Sequence, residues 1–224
     1  MIAQILKDLD NIYKKKPNRY KHVLGVRDTA LKLGKQYNLN LEKLELAALL
    51  HDVTKYHDAT WHKQIIRDNF DNPEDIINHY NEHILHAFSA YVIAKNQYHI
   101  LDEDILNSIL NHTIGKPNMT LYEKIIFISD YIEPNRTYDS CEKVRNIAFE
   151  NLDFAVFTAI DDSIKFYEAN NGDIPDIAYK ARQFYQEFRR NTMTKLDVIK
   201  NSLESVNLKN IEIYDMREKS PFFD

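Results

Sequence analysis

A chain of 224 residues, 44% hydrophobic and 28% charged, can build one sizeable domain of about 190 residues with an appendage, and its four glycines and six prolines favour helices over tight-turn architectures. The formal net charge of −5 excludes a broad nucleic-acid surface, which needs clustered cations against phosphate, yet leaves room for a small polyanion held by a few local Lys or Arg side chains. A single cysteine, Cys141, excludes an internal disulfide framework and a thiolate zinc cluster and points to the cytoplasm; the absence of any apolar run of roughly 18 residues predicts no membrane partner.

Taken in chain order, the pattern is helical throughout and predicts an all-α fold. Met1 to Lys16 is amphipathic, with Asp8 and Asp10 inside it, and so lacks the apolar core of a signal peptide. Ile2, Ile5, Leu6 and Leu9 share one face; Val23, Val26, Ala30, Leu31 and Leu33 share a second. Leu41, Leu44, Ala47 and Ala48 belong to a nearly all-apolar third segment, which should sit centrally. Asn72-Pro73-Glu74 marks a helix start, and one long helix is expected from Ile76 to Asn96, carrying His79, His83 and His86 at i, i+4 and i+7. A shorter helix runs from Asp102 to His112, ended by Gly115 and Pro117, and another from Thr120 to Tyr131, opened by Thr120 and Glu123 as a capping box. Ser140 to Asn170 and Pro175 to Asn191 read as two more, separated by the turn Asn170-Asn171-Gly172-Asp173. Beyond about residue 193 the character changes: Leu196 to Val206 reads as a helix and Ile211 to Tyr214 as a short strand without a partner, the opening of something unfinished.

The chemistry gathers around His51-Asp52, at the end of the apolar run Leu44 to Leu50. An imidazole and a carboxylate on adjacent residues can reach one metal cluster together, the histidine on one ion and the two aspartate oxygens bridging a pair. His22 stands before them, and His83, His86, His112 and Asp130 after. Imidazole and carboxylate donors without thiolate suit iron, manganese or zinc in a hydrolytic site, and inward ligands from several helices are one way to build a two-metal cage. Most histidines in any chain are surface or hydrogen-bonded core residues, and His57, His62, His79 and His99 take that reading.

Leu50-His51-Asp52-Val53-Thr54-Lys55 resembles the core motif of the HD-domain phosphohydrolases, and His22 in Arg19-Tyr20-Lys21-His22 looks like their leading histidine. His83-Ile84-Leu85-His86-Ala87, Asn111-His112-Thr113 and Ser129-Asp130-Tyr131-Ile132-Glu133-Pro134-Asn135-Arg136 narrow the likeness to the YqeK family, over residues 1–192. Members of that family hydrolyse diadenosine tetraphosphate symmetrically to two ADP with a di-iron centre. The resemblance implies an HD-domain helical bundle with His22, His51, Asp52, His86, His112 and Asp130 as ligands to two metal ions, iron before manganese or another divalent metal. His83 shares the predicted helix face with His86 and is an additional candidate, but His86 occupies the family's Leu-His-small slot, where Ala87 replaces the usual glycine. Residues 193–224 look like the beginning of a ribosomal silencing factor and are expected to be a fused or read-through fragment.

The implied reaction is attack on phosphorus by a metal-bridging hydroxide, with His51 and Asp52 at its centre, between the second and third phosphates of a dinucleoside polyphosphate. Lys55, one turn beyond His51, and Arg19, one turn before His22, are candidate phosphate contacts, as is Arg136 with its two guanidinium donors. Tyr56, Trp61, Phe88, Tyr131 and Tyr138 are aromatics near these motifs, none of which the sequence singles out for a nucleobase. The alternatives are an HD phosphohydrolase acting on another nucleotide or alarmone, a di-iron oxygenase, and a nucleotide sensor without turnover. Exposed aromatic faces late in the chain would permit a homodimer.

Overall fold

A computed structural model describes residues 1–170 and 172–188, and among them there are helices and no strand. In order these are α1 (Ile2–Ile12), α2 (Pro17–Gln36), α3 (Leu41–Leu50), α4 (Ala59–Asn69), α5 (Pro73–His79), α6 (Leu85–Asn96), α7 (Glu103–Asn111), α8 (Leu121–Ile132), α9 (Asp139–Ala148), α10 (Leu152–Ala169) and α11 (176–188). The helix and strand expected after residue 193 lie outside the described residues.

Local chemistry sets most of the helix starts. Pro17 opens α2, where its missing N–H costs nothing. Asn40 caps α3 by accepting from Glu42 N and Lys43 N, and Asp102 caps α7 by accepting from Asp104 N and Ile105 N. Thr120 and Glu123 form the reciprocal capping box at the start of α8. α3 is central as its apolar run predicts, with Leu44, Leu46, Ala47, Ala48, Leu49 and Leu50 all buried and α1, α2, α7 and α8 packed around it.

Two expected helices are each broken in two. The segment Ile76 to Asn96 stops at His79, because Tyr80 turns extended and the Asn81 carboxamide takes over the His83 backbone N–H at 3.1 Å; α6 restarts at Leu85. His79 and His83 therefore do not share a face with His86. The segment Ser140 to Asn170 breaks at Phe149 to Asn151, where Asn151 leaves helical backbone and its side chain caps α10 by accepting from Phe154 N. α4 escaped sequence reading because it buries little: His62 and Ile66 are its buried residues, against a satellite cluster with Leu85 and Phe88.

Candidate metal centre

Each candidate ligand sits at or near a helix end turned toward one point. His22 lies in the second turn of α2, His51 is the C-cap of α3 with Asp52 following, His86 is the second residue of α6, His112 is the C-cap of α7, and Asp130 lies in the last turn of α8. Behind His112 the chain is turned out of the helix by Gly115 at φ +72, whose N–H still reaches Asn111 O at 2.9 Å.

The Asp52 carboxylate is the hub. Its Oδ1 lies 3.1 Å from His86 Nε2 and 3.7 Å from His112 Nε2; its Oδ2 lies 3.5 Å from His51 Nε2 and 3.7 Å from His22 Nε2. Asp130 Oδ1 is 3.1 Å from the same His22 nitrogen. Among the described residues two overlapping triplets, His22 with His51 and Asp130, and His51 with Asp52 and His112, each bring their donor atoms within 4.8 Å of one another.

The imidazoles are aimed by their outer nitrogens. Nδ1 of His51 is 2.6 Å from Ala48 O, that of His86 is 2.7 Å from His83 O, and that of His112 is 2.7 Å from Ile109 O. Each carbonyl accepts from Nδ1–H, which turns the Nε2 lone pair inward. His22 is different: its Nδ1 is 3.2 Å from Oε1 of the buried Glu133. Glu133 is fixed in turn by Asn135, whose backbone N and Nδ2 donate to Oε2 at 2.8 and 2.7 Å. Arg145 of α9 donates to the carbonyls of Ile132 (2.7 Å), Glu133 (2.9 Å) and Arg136, locking the loop that carries both Glu133 and Arg136. In the sequence Glu133 stands only inside the Ser129 to Arg136 motif, without a role of its own. A carboxylate three residues beyond a candidate ligand, ahead of a proline, was the available signal.

Charge follows from this crowding. Burial alone would raise the Asp52 carboxyl, but His51, His112 and His86 around it hold it well below the usual carboxylate range. Burial would raise Asp130 too, and Arg136 and His22 overcome it. Burial pushes His86 down to about 4 and also lowers His112, so both imidazoles are neutral donors near pH 7.

Three cations flank the cluster. Arg19 Nη1 donates to Asp52 Oδ2 at 2.7 Å, Arg136 Nη2 to Asp130 Oδ1 at 2.8 Å, and Lys55 Nζ lies 3.2 Å from His86 Nε2 and 3.9 Å from Asp52 Oδ1. Burial opposes the Arg19 charge, but Asp52 and then Tyr56 more than offset it. His83 does not join the ligand group: it is exposed, it borders the cavity beside the cluster, and its carbonyl anchors His86. Of the remaining histidines, His57 stacks on Trp61 at 3.8 Å, His62 is buried against Ser89, and His79 and His99 are exposed.

The residues fit a pair of divalent cations. His22 Nε2 and His51 Nε2 are buried without a hydrogen-bond partner among the described residues, and four imidazoles with two carboxylates are a donor set for such ions. Beside the cluster a cavity of about 900 Å³ is bordered by Lys55, His112, Asp130 and Arg136 at one end and by Tyr131, Tyr138, Tyr167 and Ile174 beyond.

Comparison with known proteins places this geometry in a family. The HD-domain family model matches residues 19–135, the stretch that carries every candidate ligand. A symmetrical bis(5'-nucleosyl)-tetraphosphatase of Halalkalibacterium halodurans is 41% identical over 160 residues, covering 71% of this chain and 84% of that one. The Bacillus subtilis protein of the same name is 36% identical over 161 residues, covering 71% and 85%. A crystal structure from Clostridium acetobutylicum of a "predicted HD superfamily hydrolase involved in NAD metabolism" superposes with a TM-score of 0.76 at 35% identity, covering 84% of this chain and 97% of that one. The chain belongs to the HD-domain family and, within it, to the YqeK-type phosphohydrolases. No helix among the described residues is long and apolar enough to cross a membrane.

Proposed function

We propose that this chain hydrolyses diadenosine tetraphosphate symmetrically, yielding two ADP, at a pair of iron ions held by His22, His51, Asp52, His86, His112 and Asp130. The observation that carries the reading is the division of imidazoles about Asp52: His86 and His112 lie nearest one carboxylate oxygen and His22 and His51 nearest the other. His22, His51 and Asp130 with Asp52 would hold one ion, and His86 and His112 with Asp52 the other. The names of the Halalkalibacterium halodurans and Bacillus subtilis relatives support the substrate.

When bound, such a metal pair neutralises phosphate charge and makes a water acidic enough to attack phosphorus near neutral pH. The protein's own groups do the rest. Arg19, Lys55 and Arg136 neutralise and orient the non-bridging oxygens, and both arginines can exchange their present carboxylate partners for a bidentate phosphate contact. The Tyr13 hydroxyl donates to the Asp52 backbone carbonyl at 2.7 Å and fixes the hub from behind. Attack between the second and third phosphates divides the substrate equally, one ADP on each side of the broken bond.

The decisive test is the product profile from diadenosine tetraphosphate with iron-loaded protein, alongside His51→Ala and Asp52→Ala. ADP as sole product, falling by on the order of 10³ or more in both variants, is the expected result. ATP with AMP, or no turnover with metal bound, would overturn the substrate assignment. A second reading, an HD phosphohydrolase acting on another nucleotide, is favoured by the description of the Clostridium acetobutylicum structure and predicts instead turnover of a pyridine nucleotide.

The hydrolase comprises residues 1–192 and works in the cytoplasm; residues 193–224 take no part in hydrolysis. Support comes from the ligands and flanking cations, which all lie before residue 137. Deleting 193–224 is expected to leave ADP formation unchanged, and a large loss would sink this division.

A further inference from the structure

A substrate with two equal halves, cut at its centre, must send one nucleoside diphosphate to each side of the bond that breaks. The cavity serves one side: it is bordered by Asp130 and Arg136, whereas Lys16, Arg19 and Tyr56 do not line it. Arg19 is the counterpart of Arg136, paired with the other carboxylate of the cluster at Asp52 Oδ2. What lies beyond Arg19 is therefore what the second half meets.

Next to Arg19 stands Tyr56, with half of its surface (50%) exposed, although it directly follows Lys55 at the mouth of the cluster. Its ring is braced by the buried Tyr13 in a T-shaped contact at 6.1 Å and 75°. Tyr13 is itself bonded to the Asp52 carbonyl, so the exposed ring is tied to the hub of the metal centre through one intermediate side chain. Lys16 Nζ lies 4.8 Å over the Tyr56 ring, on a long exposed stem that can give way to a flat ligand and then meet its phosphates. A braced, exposed aromatic ring with two cations beside it suits a purine base followed by its phosphates, because stacking tolerates any flat π-face and the cations supply the charge.

We infer that Tyr56, with Lys16 and Arg19, forms an outer nucleoside subsite that takes the second half of the dinucleotide, so that a symmetrical substrate is held asymmetrically, one nucleoside in the cavity and one on an open ring. The inference rests on the proposed hydrolysis of dinucleoside tetraphosphate. It makes Tyr56 the residue that distinguishes a dinucleotide from a mononucleotide carrying the same phosphates.

The test compares diadenosine tetraphosphate with adenosine 5'-tetraphosphate, which has four phosphates and one adenosine, on the metal-loaded full chain. In Tyr56→Ala the kcat/KM preference for the dinucleotide is expected to fall about tenfold, the order of one lost base–aromatic stack, whereas Tyr56→Phe keeps it. A binding readout runs beside it: in Tyr56→Trp, a non-hydrolysable methylene analogue of the dinucleotide quenches the new indole and the methylene analogue of adenosine tetraphosphate does not. An unchanged preference in Tyr56→Ala, an equal loss on both substrates, or equal quenching by both analogues would overturn the outer subsite while leaving wild-type ADP formation intact. Wild-type protein that fails to cleave the dinucleotide would overturn the hydrolase reading itself, and the subsite with it.

Discussion

His51, His86 and His112 take their anchors from carbonyls three residues back in their own chain, whereas His22 leans on a carboxylate 111 residues away. For His51 and His112 the first arrangement comes with the helix end itself, since a C-cap histidine has an unpaired carbonyl within reach of Nδ1, and for His86 the acceptor is His83 O in the turn that precedes α6. Its acceptors are main-chain atoms, although the His83 carbonyl is presented to His86 by the break that Asn81 makes. The second arrangement is assembled from α2, the end of α8 and the loop that follows, and it depends on Glu133, Asn135, Gly25 and Arg145 each being in place. The two kinds of anchor thus place similar imidazoles with very different exposure to mutation at a distance.

Removing Glu133 should break this comparison hardest. Glu133→Ala leaves the Nδ1 of His22 without its acceptor and is expected to weaken divalent metal binding by about 10–100-fold, the usual cost of losing an outer partner of a ligating histidine. Manganese titration by calorimetry on the full chain measures it. Glu133→Gln, which keeps an acceptor but not its charge, should fall in between. Unaltered affinity in both variants would mean that His22 is held as locally as the other three.

The same contrast explains what was legible in the sequence. Periodicity and caps are local, so the buried α3, the capping box of α8 and the order of histidines and aspartates along the chain could be read directly. The breaks at Tyr80 and Phe149 could not, because each depends on an asparagine side chain winning a backbone N–H from the helix, at Asn81 and Asn151. Those breaks decide the site: the first separates His83 from His86 and turns its carbonyl into an anchor. Glu133 was hidden for the complementary reason that its partner is 111 residues away, so its spacing from Asp130 could mark it as near the site but could not name His22.

Gly25 sharpens the comparison at a smaller cost. A Cβ there would stand 2.5 Å from Glu133 Oε2 and 3.2 Å from Asn135 Nδ2, so a methyl group must displace the pair that holds His22. In a helix interior alanine is ordinarily favoured over glycine by roughly 0.5–1 kcal/mol. Overpacking of this kind costs about 1–3 kcal/mol, enough to reverse that sign. Gly25→Ala is therefore expected to lower the midpoint of urea unfolding and to weaken manganese binding a few-fold. A more stable protein with normal metal affinity would show that Glu133 has room to move.

On the carbonyl-anchored side the corresponding support is a buried polar network, and its effect is expected in pH dependence. His62 Nδ1 lies 2.8 Å from Ser89 Oγ; Ser89 and Thr54 both donate to His86 O, at 3.0 and 2.9 Å, beneath the first turn of α6. Burial, then the neighbouring His57, lowers the pKa of His62 below the ordinary histidine value. As the pH falls through about 6.5, the unfolded chain takes up this proton before the folded one does, so the stability His62 contributes is fully present above that pH and is lost below it. The slope from one such group is at most about 1.4 kcal/mol per pH unit. His62→Asn keeps a polar partner for Ser89 and removes the titration, so the drop in unfolding free energy between pH 7.5 and 5.5 should be shallower than in the wild-type chain. An identical drop would mean that His62 binds its proton as readily folded as unfolded, and that the acid sensitivity of this side comes from the cluster alone.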